Sequence, residues 1–389
     1  MRTDEESGTG LLGNAFVGIF FPSAGVSRNS NKLFVPASNT KLYTSWLACE
    51  IMSEEGRFSS EYSIADGRLY FRPQGNPLLD ELSLAPMIED CRRKKISEIV
   101  LETGFVRSAG YPGTWNVEDM TEPWGAPISD VCFHENRVKT RFSEGSVVTG
   151  ESVPYDPVHR FTFGKRGTER AFIGETIRLP EGYSGTFTYP ILDPETFLAG
   201  WIAAKIGWKR HRPKWRRGKL KGKSRPVAEV ALKDVLCRMN KESSNIIAEL
   251  LLIHSAFRAG RNPSTKAGAE LLAERLSDSG ILDASFVDGS GLSRRNLTSP
   301  ESTVKLLELC RNYRHITESL PVGGKDGTLK NRKLDGRVIA KTGSLWGVQS
   351  LSGFAAGEPF SIMVNHFIAE RKTDAKVRKW IDETLMSMI

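Results

Sequence analysis

Strand patterns lie at both ends of this chain, with helical patterns between them. Near the N-terminus, residues 14–21 and 31–35 read as the two strands of a hairpin. The last third shows strand patterns at 338–343, 348–356 and 360–368. Helical patterns lie at 226–240, 243–259, 265–279 and 372–388. Because strands from distant segments can complete one sheet, this order predicts an α+β domain in which an antiparallel sheet joins both chain ends.

The region between the two ends is long enough to form a second domain. The 389 residues exceed the roughly 100–200 residues of one ordinary domain. A helix should begin near Ser38, and residues 105–200 are rich in Gly, Pro and short alternating segments, which indicates a β-rich module. We therefore predict a discontinuous domain, 1–54 plus 228–389, and a β-rich inserted region at 55–227.

The positive charge of the chain is confined to one segment. Residues 205–225 contain eleven Lys or Arg and no acid, whereas the whole chain has 54 basic and 46 acidic residues. A protein that is near neutral elsewhere is not expected to bind nucleic acid specifically. Trp208 and Trp215 lie among these cations, which would suit an anionic polymer or a membrane surface. A solvated loop is the alternative interpretation.

Composition and spacing argue against metal and dinucleotide sites. The five cysteines are far apart and form no C-x-x-C, so no metal and no cofactor is expected, and Cys49 and Cys237 are predicted to be small buried side chains of helices. The pattern G-x-G-x-x-G at Gly8–Gly13 follows polar residues instead of a strand, so it does not indicate a Rossmann site. Neither a signal peptide nor an apolar run of about 20 residues is visible.

Three short motifs carry the chemistry. Ser38-Asn39-Thr40-Lys41 lies at a helix start, Ser243-Ser244-Asn245 at the start of a later helix, and Lys341-Thr342-Gly343 in a strand. A single S-x-x-K is weak evidence, because Ser302 and Lys305 form another one. The order S-x-x-K, S-x-N, K-T-G, with each motif in a fitting element, is the motif set of one group of serine acyl-transferring enzymes.

Ser38 and Lys41 have the spacing of a nucleophile and its base. Three residues apart on a helix, they lie on the same face, so the amine can reach the hydroxyl. A lysine accepts a proton only when it is neutral, so its pKa has to fall by about 3 units from about 10.4, which corresponds to roughly 4 kcal/mol. We expect burial beside a second cation, Lys341, to cause this shift.

The second and third motifs supply groups for the leaving amine and the substrate. Ser243 can relay a proton between Lys41 and the leaving amine, and the amide of Asn245 can hold a substrate peptide group. Lys341 and Thr342 can meet a carboxylate. These placements favour a nucleophilic serine acyl-transferase over a chance arrangement of Ser and Lys on surface helices.

The strand of the third motif can also bind substrate backbone. Gly343 would let a substrate lie close to the strand as an added β-partner. The backbone N–H groups of Ser38 and Ser344 would form the oxyanion hole.

At these residues the chain resembles the low-molecular-mass class C penicillin-binding proteins, which are D-alanyl-D-alanine carboxypeptidase/endopeptidases. Further matching segments are Phe34 to Lys41, Gly75-Asn76-Pro77, Asp288-Gly289-Ser290-Gly291-Leu292-Ser293 and Asp326-Gly327-Thr328-Leu329. Ser244 and Asn76 each stand where the family commonly has Asp, the inserted region is short, and family members are exported although no signal peptide is visible here.

The resemblance implies a penicillin-binding-protein/β-lactamase transpeptidase-like core and a serine DD-peptidase. Its substrates would be the D-Ala-D-Ala end or the cross-linked stem peptides of peptidoglycan, β-lactams would acylate it, and it would act in the periplasm or otherwise outside the cytoplasm. Carried over by motif, Ser38 is the nucleophile and Lys41 the base, with Ser243, Asn245, Lys341 and Thr342 completing the site. Two alternatives remain: a β-lactamase or D-amino-acid esterase on the same fold, or a catalytically idle protein that binds anionic polymers through 205–225.

Overall fold

The computed structural model describes residues 15–147, 160–164, 176–208 and 213–389. The Gly8–Gly13 pattern, the first residue of the predicted N-terminal strand and residues 209–212 of the basic segment lie outside the described residues. The helices are α1 (Thr40–Met52), α2 (Glu81–Arg93), α3 (Pro194–Lys205), α4 (Leu232–Glu242), α5 (Asn245–Arg258), α6 (Thr265–Asp278), α7 (Pro300–Cys310), α8 (Arg314–Ser319) and α9 (Arg371–Met386). The strands are β1 (Phe16–Phe21), β2 (Val26–Arg28), β3 (Arg57–Ala65), β4 (Arg68–Arg72), β5 (Glu98–Leu101), β6 (Arg137–Ser143), β7 (Ser146–Val147), β8 (Arg160–Gly164), β9 (Thr176–Pro180), β10 (Gly185–Pro190), β11 (Trp215–Arg217), β12 (Arg225–Ala231), β13 (Ala284–Ser285), β14 (Leu297–Thr298), β15 (Val338–Leu345), β16 (Val348–Ala355) and β17 (Glu358–Asn365).

The chain divides into two compact units. The terminal unit consists of residues up to Gly56 together with Leu232–Ile389, and the inserted unit is Arg57–Ala231. The inserted unit ends at Ala231, four residues later than predicted. The reason is that residues 225–231, most of which lie in the predicted helix 226–240, form strand β12 of the inserted unit's sheet. The helix α4 begins only at Leu232.

The terminal unit is built on a five-stranded sheet. Its strand order is β15-β16-β17-β1-β2, and each strand pairs antiparallel with its neighbour. Strand β1 lies beside β17, with Phe16 opposite Asn365, so the N-terminal segment is an interior strand between C-terminal strands and β2. This confirms the α+β class with a sheet that joins both chain ends.

The N-terminal hairpin is shorter than predicted. Its second strand is β2, and the strand predicted at 31–35 is wrong. A 3₁₀ turn at Pro22–Ala24 is followed by Gly25 with φ +67°, a left-handed conformation that glycine adopts without steric cost, so the chain reverses at once. Phe34 makes only an isolated bridge with Thr298.

Helices cover both faces of the sheet of the terminal unit. On one face, α9 buries Val377, Ile381 and Leu385, spaced four residues apart, in the same core as sheet residues such as Ile362 and Val364. On the other face, α7 packs on β1 and β17, and α1 packs against α5 and α7. Most of α1 and α5 is buried, which holds their N-terminal ends in fixed positions.

The inserted unit is rich in strands. A five-stranded sheet has the order β11-β5-β4-β3-β12, and a smaller sheet has the order β10-β6-β7. The β3–β4 hairpin turns at Asp66 and Gly67, which have φ of +51° and +68°, as a two-residue type I′ turn requires at both positions. Helices α2 and α3 bury Leu84 and Phe197 in the core of this unit.

The basic segment forms part of the sheet of the inserted unit. Strand β11 pairs in parallel with β5, which a solvated loop would not do. Several of its cations pair with carboxylates of the same unit: Arg216 with Glu98, Arg217 with Glu195, Lys219 with Glu102, and Arg225 with Asp90. Such exposed ion pairs contribute little stability each, about 0–1 kcal/mol, but they offset much of the local positive charge.

All five cysteines are free thiols. Cys49 is buried as predicted, but the prediction for Cys237 is wrong, because it lies on the exposed face of α4. Among the described residues, no cluster of His, Cys, Asp and Glu is arranged to hold a metal ion. Within the same residues, no helix is long and apolar enough to cross a membrane.

Candidate active site

Ser38 lies in a strained turn immediately before α1. The 3₁₀ turn Ala37–Asn39 leads into α1 at Thr40, and Ala37 has φ +50°, which a residue with a Cβ adopts only when its surroundings enforce it. Ser38 is half-buried, while Lys41, one turn later, is fully buried. The Nζ of Lys41 lies 2.9 Å from the Oγ of Ser38, as the three-residue spacing predicts.

The amine of Lys41 has two further partners, and both can only accept. Its Nζ lies 2.7 Å from Oδ1 of Asn245 and 2.6 Å from the carbonyl oxygen of Ser290. A neutral amine has two N–H bonds and one lone pair. If the N–H bonds go to Asn245 and Ser290, the lone pair faces the hydroxyl of Ser38. Asn245 therefore orients the base, in addition to any contact with substrate.

Burial sets the protonation of Lys41. It lowers the pKa of Lys41 to about 7, while the carboxyl groups of Asp288 and Glu249 act in the opposite direction. The sequence predicts burial beside Lys341 as the cause; burial does lower the pKa, but the charged groups that act on Lys41 are Asp288 and Glu249. The positive charge of Lys41 instead adds to burial in lowering the pKa of Lys341 well below its usual value. Two buried amines that repel each other do not readily carry a proton each.

Lys341 contacts the second motif. Its fully buried Nζ donates to the Oγ of Ser243 at 2.9 Å and to the carbonyl of Thr342 at 2.9 Å. Ser243 lies between α4 and α5 with φ +57°, a further strained position at the site. The hydroxyl of Ser243 is thus hydrogen-bonded to Lys341, whereas the sequence suggested a relay that starts at Lys41.

Strand β15 presents a free edge to the cleft. Ala340 donates its N–H outward, to the carbonyl of Pro321, while β16 pairs with the other side of β15. Since alternate residues of a strand point their N–H and C=O groups to the same side, those of Thr342 and Ser344 also face away from β16. The N–H of Ser344 is therefore directed to the edge that a substrate strand could join.

The structure explains the glycine at position 343 differently from the sequence. A Cβ at this position would lie 2.5 Å from the carbonyl oxygen of Pro36 and still closer to the Oγ of Ser350. The Ser350 hydroxyl donates to that same Pro36 carbonyl at 2.8 Å. The glycine thus lets the turn that carries the nucleophile pack directly on the sheet, and its Cβ position does not face a substrate.

Two buried carboxyl groups, which the sequence did not predict as part of the site, hold its loops in place. Glu249, one turn after Asn245 on α5, accepts from the N–H groups of Gly289 and Ser290 at 3.0 and 2.9 Å. Asp288 accepts from the N–H groups of Gly291 and Ser293 at 2.9 and 2.7 Å. Both side chains are fully buried. They fix the loop whose Ser290 carbonyl contacts Lys41.

Burial and the negative charge of Asp288 raise the pKa of Glu249 to about 8. A single acidic residue in the otherwise apolar middle of α5 was the signal that could have identified it.

The predicted residues meet in one cleft of about 910 Å³. Ser38, Ser243, Thr342 and Ser344 line it, and the hydrogen bonds described above connect Lys41, Asn245 and Lys341 to them. Its remaining walls are Thr328, Asn331, Arg332, Lys333, Gln349, Ala375, Arg378, Lys379, Asp382 and Glu383. Three distant segments thus place a hydroxyl and two buried amines, that of Lys41 with a pKa lowered to about 7, side by side.

Known proteins are similar to this chain in sequence and in fold. The model of the D-Ala-D-Ala carboxypeptidase 3 (S13) family matches residues 23–173 and 216–388. D-alanyl-D-alanine carboxypeptidase DacB of Haemophilus influenzae is 37% identical over 384 residues, covering 84% of this chain and 78% of the relative. Penicillin-sensitive carboxypeptidase A of Dictyostelium discoideum is 26% identical, covering 86% of this chain and 77% of the relative. The crystal structure of penicillin binding protein 4 from Haemophilus influenzae superposes with a TM-score of 0.77 at 22% identity, covering 96% of this chain and 98% of that one.

Proposed function

Because this chain belongs to the D-Ala-D-Ala carboxypeptidase 3 (S13) family, we propose that it cleaves D-Ala-D-Ala ends or cross-linked stem peptides of peptidoglycan through an acyl-enzyme on Ser38. This membership confirms the family that the motifs resemble. The chain is therefore a serine-type D-Ala-D-Ala peptidase. The assignment of roles to individual residues is the further step, and the contacts of Lys41 support it.

In acylation, Ser38 attacks the carbonyl carbon of the scissile amide. The lone pair of Lys41 takes the proton from the Ser38 hydroxyl as the new C–O bond forms. The oxyanion is held by the N–H groups of Ser38 and Ser344, the latter on the free edge of β15. A substrate strand that pairs with this edge places its carbonyl against both donors.

The leaving amine is protonated from the other side of the cleft. When the C–N bond breaks, the hydroxyl of Ser243 gives its proton to the amine and regains one from the cleft solvent, while an N–H of the Lys341 amine, 2.9 Å away, orients this hydroxyl. Thr342 is half-buried at the same wall and can donate its hydroxyl to the carboxylate of a departing D-Ala.

Hydrolysis then regenerates the enzyme. Once the proton on Lys41 has been lost to the cleft solvent, the neutral Lys41 can take a proton from an attacking water. The C–O bond to Ser38 breaks, and Lys41 returns a proton to the Oγ of Ser38. Water thereby adds OH to the acyl product and H to Ser38.

The observation that carries the proposal is the Lys41 amine, held by two acceptors so that its lone pair faces Ser38. Mass spectrometry of the intact protein after exposure to penicillin should show one adduct, located on Ser38, because β-lactams mimic the substrate amide. Ser38→Ala should abolish the adduct, whereas Ser302→Ala, in the other S-x-x-K sequence, should keep it. An adduct that persists in Ser38→Ala would refute the nucleophile.

The same experiment separates the alternatives. A DD-peptidase retains the penicilloyl adduct for much longer than it retains the acyl group of a D-Ala-D-Ala peptide, whereas a β-lactamase turns penicillin over rapidly. If neither substrate acylates the protein, the catalytically idle alternative stands.

We also propose an extracytoplasmic location, where peptidoglycan is found. A role of 205–225 in binding an anionic polymer or membrane is the weaker proposal, because several of its cations already pair with carboxylates of the inserted unit. Salt-dependent retention on an anionic polymer, lost when Lys221 and Lys223 are replaced by Ala, would support it.

A further inference from the structure

The cleft extends beyond the space that a single departing amino acid needs. Its volume of about 910 Å³ lies near the upper end of the roughly 300–1,000 Å³ typical of pockets that enclose whole ligands. Thr342 donates its hydroxyl to that of Thr328 at 2.9 Å, and Asn331 and Lys333, which follow Thr328 in the chain, line the same cleft. Ser243, which in the proposed mechanism protonates the leaving amine, lines the same cleft, so we infer that this part of the cleft receives the leaving group.

The walls of this extension carry a net positive charge. Arg332 is paired with Asp382 at 2.5 Å, and Lys379 with Glu383 at 3.3 Å. The remaining cations of the lining are Lys333 and Arg378, whose side chains are exposed to the cleft and solvent.

Arg378 already has acidic neighbours. Its charge acts on Asp374 and Asp382, but Asp382 is bound by Arg332 through both carboxylate oxygens. Asp374 does not line the cleft. The cleft surface itself therefore has two more basic than acidic side chains.

We propose that Lys333 and Arg378 form a cationic subsite that binds a carboxylate of the departing peptide strand. The proposal rests on the proposed function of the same cleft. When the substrate is a D-Ala-D-Ala end, the leaving group is one alanine, whose single carboxylate is met by Thr342. Only a cross-linked peptide, whose leaving group is a second strand with its own free carboxylates, reaches Lys333 and Arg378. The subsite therefore favours endopeptidase action on cross-linked peptides.

The test compares two substrates on matched variants. We would measure kcat/KM for a peptide ending in D-Ala-D-Ala and for a cross-linked peptide dimer, using the full chain and the variant Lys333→Ala/Arg378→Ala. The control is Lys372→Ala/Lys376→Ala, which removes two exposed cations of α9 that do not line the cleft. A dimer whose leaving strand has amidated carboxylates serves as a third substrate.

We expect the Lys333/Arg378 variant to lower the preference for the dimer about three- to tenfold, the size expected for two solvent-exposed charge contacts. Added salt should reduce the preference of the unaltered protein, and the amidated dimer should not respond to the variant. The control variant should keep the preference.

An unchanged preference in the Lys333/Arg378 variant would overturn the subsite, and so would an equal loss with the amidated dimer or in the control. If the unaltered protein is acylated by penicillin on Ser38 but does not cleave the dimer, the subsite is also overturned while the proposed function stands. Absence of penicillin acylation would instead refute the proposed function.

Discussion

At the scale of single residues, the site depends on which protons are present. Lys41, Lys341, Glu249 and Asp288 are all fully buried in the terminal unit. Each charge in such a place is costly unless it is paired, so the four groups cannot titrate independently. The chemistry requires one particular arrangement, in which Lys41 is neutral while Ser38 and Ser243 keep their hydroxyl protons.

The pH dependence of acylation should therefore report on Lys41. Only the neutral amine accepts the Ser38 proton, and burial lowers its pKa to about 7, so the rate should rise as pH increases through about 7. Acylation by penicillin, followed by stopped-flow or mass spectrometry between pH 5 and 11, measures this. Lys41→Arg should reduce the rate at every pH, since a guanidinium stays charged. A rate that rises only near pH 10 would show that Lys41 is not shifted.

Glu249 should affect the pH profile of acylation through its hydrogen bonds and its charge. Glu249→Gln keeps an oxygen to accept from the N–H groups of Gly289 and Ser290, so we expect it to remain active. It removes a carboxyl that raises the pKa of Lys41, so the acidic limb should move to lower pH. The displacement should be a fraction of a unit, because Glu249, with a pKa of about 8, is mostly neutral near pH 7.

Glu249→Ala is the contrasting variant. It leaves two buried N–H groups without an acceptor, which should cost about 1–3 kcal/mol of folding free energy and lower kcat. If Glu249→Gln and Glu249→Ala behaved identically, the carboxyl would have no positioning role. An acidic limb that moved to higher pH in Glu249→Gln would contradict the assigned charge effect.

The sequence predicted the residues of the site better than it predicted their supports. The i, i+3 spacing on a helix brings Lys41 to Ser38 whatever surrounds them, so that contact could be inferred locally. The partners of Lys41 depend on how α5 and the Asp288 loop pack against α1, and no spacing rule specifies that packing. Glu249 was missed for this reason.

At the scale of elements, the short strands were the least predictable. Strands β2 and β12 exist because neighbouring strands pair with them, and an isolated segment of three to seven residues has no pattern strong enough to indicate this. The long interior strands β16 and β17 are buried along nearly their whole length, and their recurring apolar residues, such as Phe360, Ile362 and Val364, made them visible in the sequence.

The contact between β15 and the nucleophile turn gives an element-scale prediction. Gly343→Ala would drive a methyl group into the Pro36 carbonyl and the Ser350 hydroxyl, so β15 and the turn must separate. We expect a loss of about 1–3 kcal/mol in folding free energy, and a larger loss in acylation because Ser38 moves away from the Ser344 N–H. Urea unfolding and penicillin acylation measure the two effects.

Gly336→Ala is the matched control for Gly343→Ala. A Cβ at Gly336 meets nothing within 4 Å, so its stability and acylation should stay near those of the unaltered protein. Equal behaviour of the two variants would show that the turn does not need this close approach.

At the scale of the whole molecule, the terminal unit is assembled from two ends of the chain. Strand β1 must reach its place between β17 and β2 before the sheet is complete, although more than 300 residues separate Phe16 from Asn365. Such long-range pairing slows folding compared with local contacts. The two residues that flank the inserted unit are adjacent, since Leu232 donates its N–H to the carbonyl of Gly56 at 2.8 Å.

This closure predicts that the terminal unit folds without the insertion. Replacing 57–231 by a linker of about four Gly and Ser residues bridges the adjacent Gly56 and Leu232 and shortens a very long loop, which lowers the entropic cost of closing it. The core of α9 and the sheet lies wholly within the terminal unit and would stay intact. We therefore expect cooperative urea unfolding and penicillin acylation on Ser38. The contrasting variant lacks Phe16–Phe21, which removes an interior strand and should not fold. A linker variant that unfolds while the full chain folds would show that the terminal unit depends on the insertion for its stability.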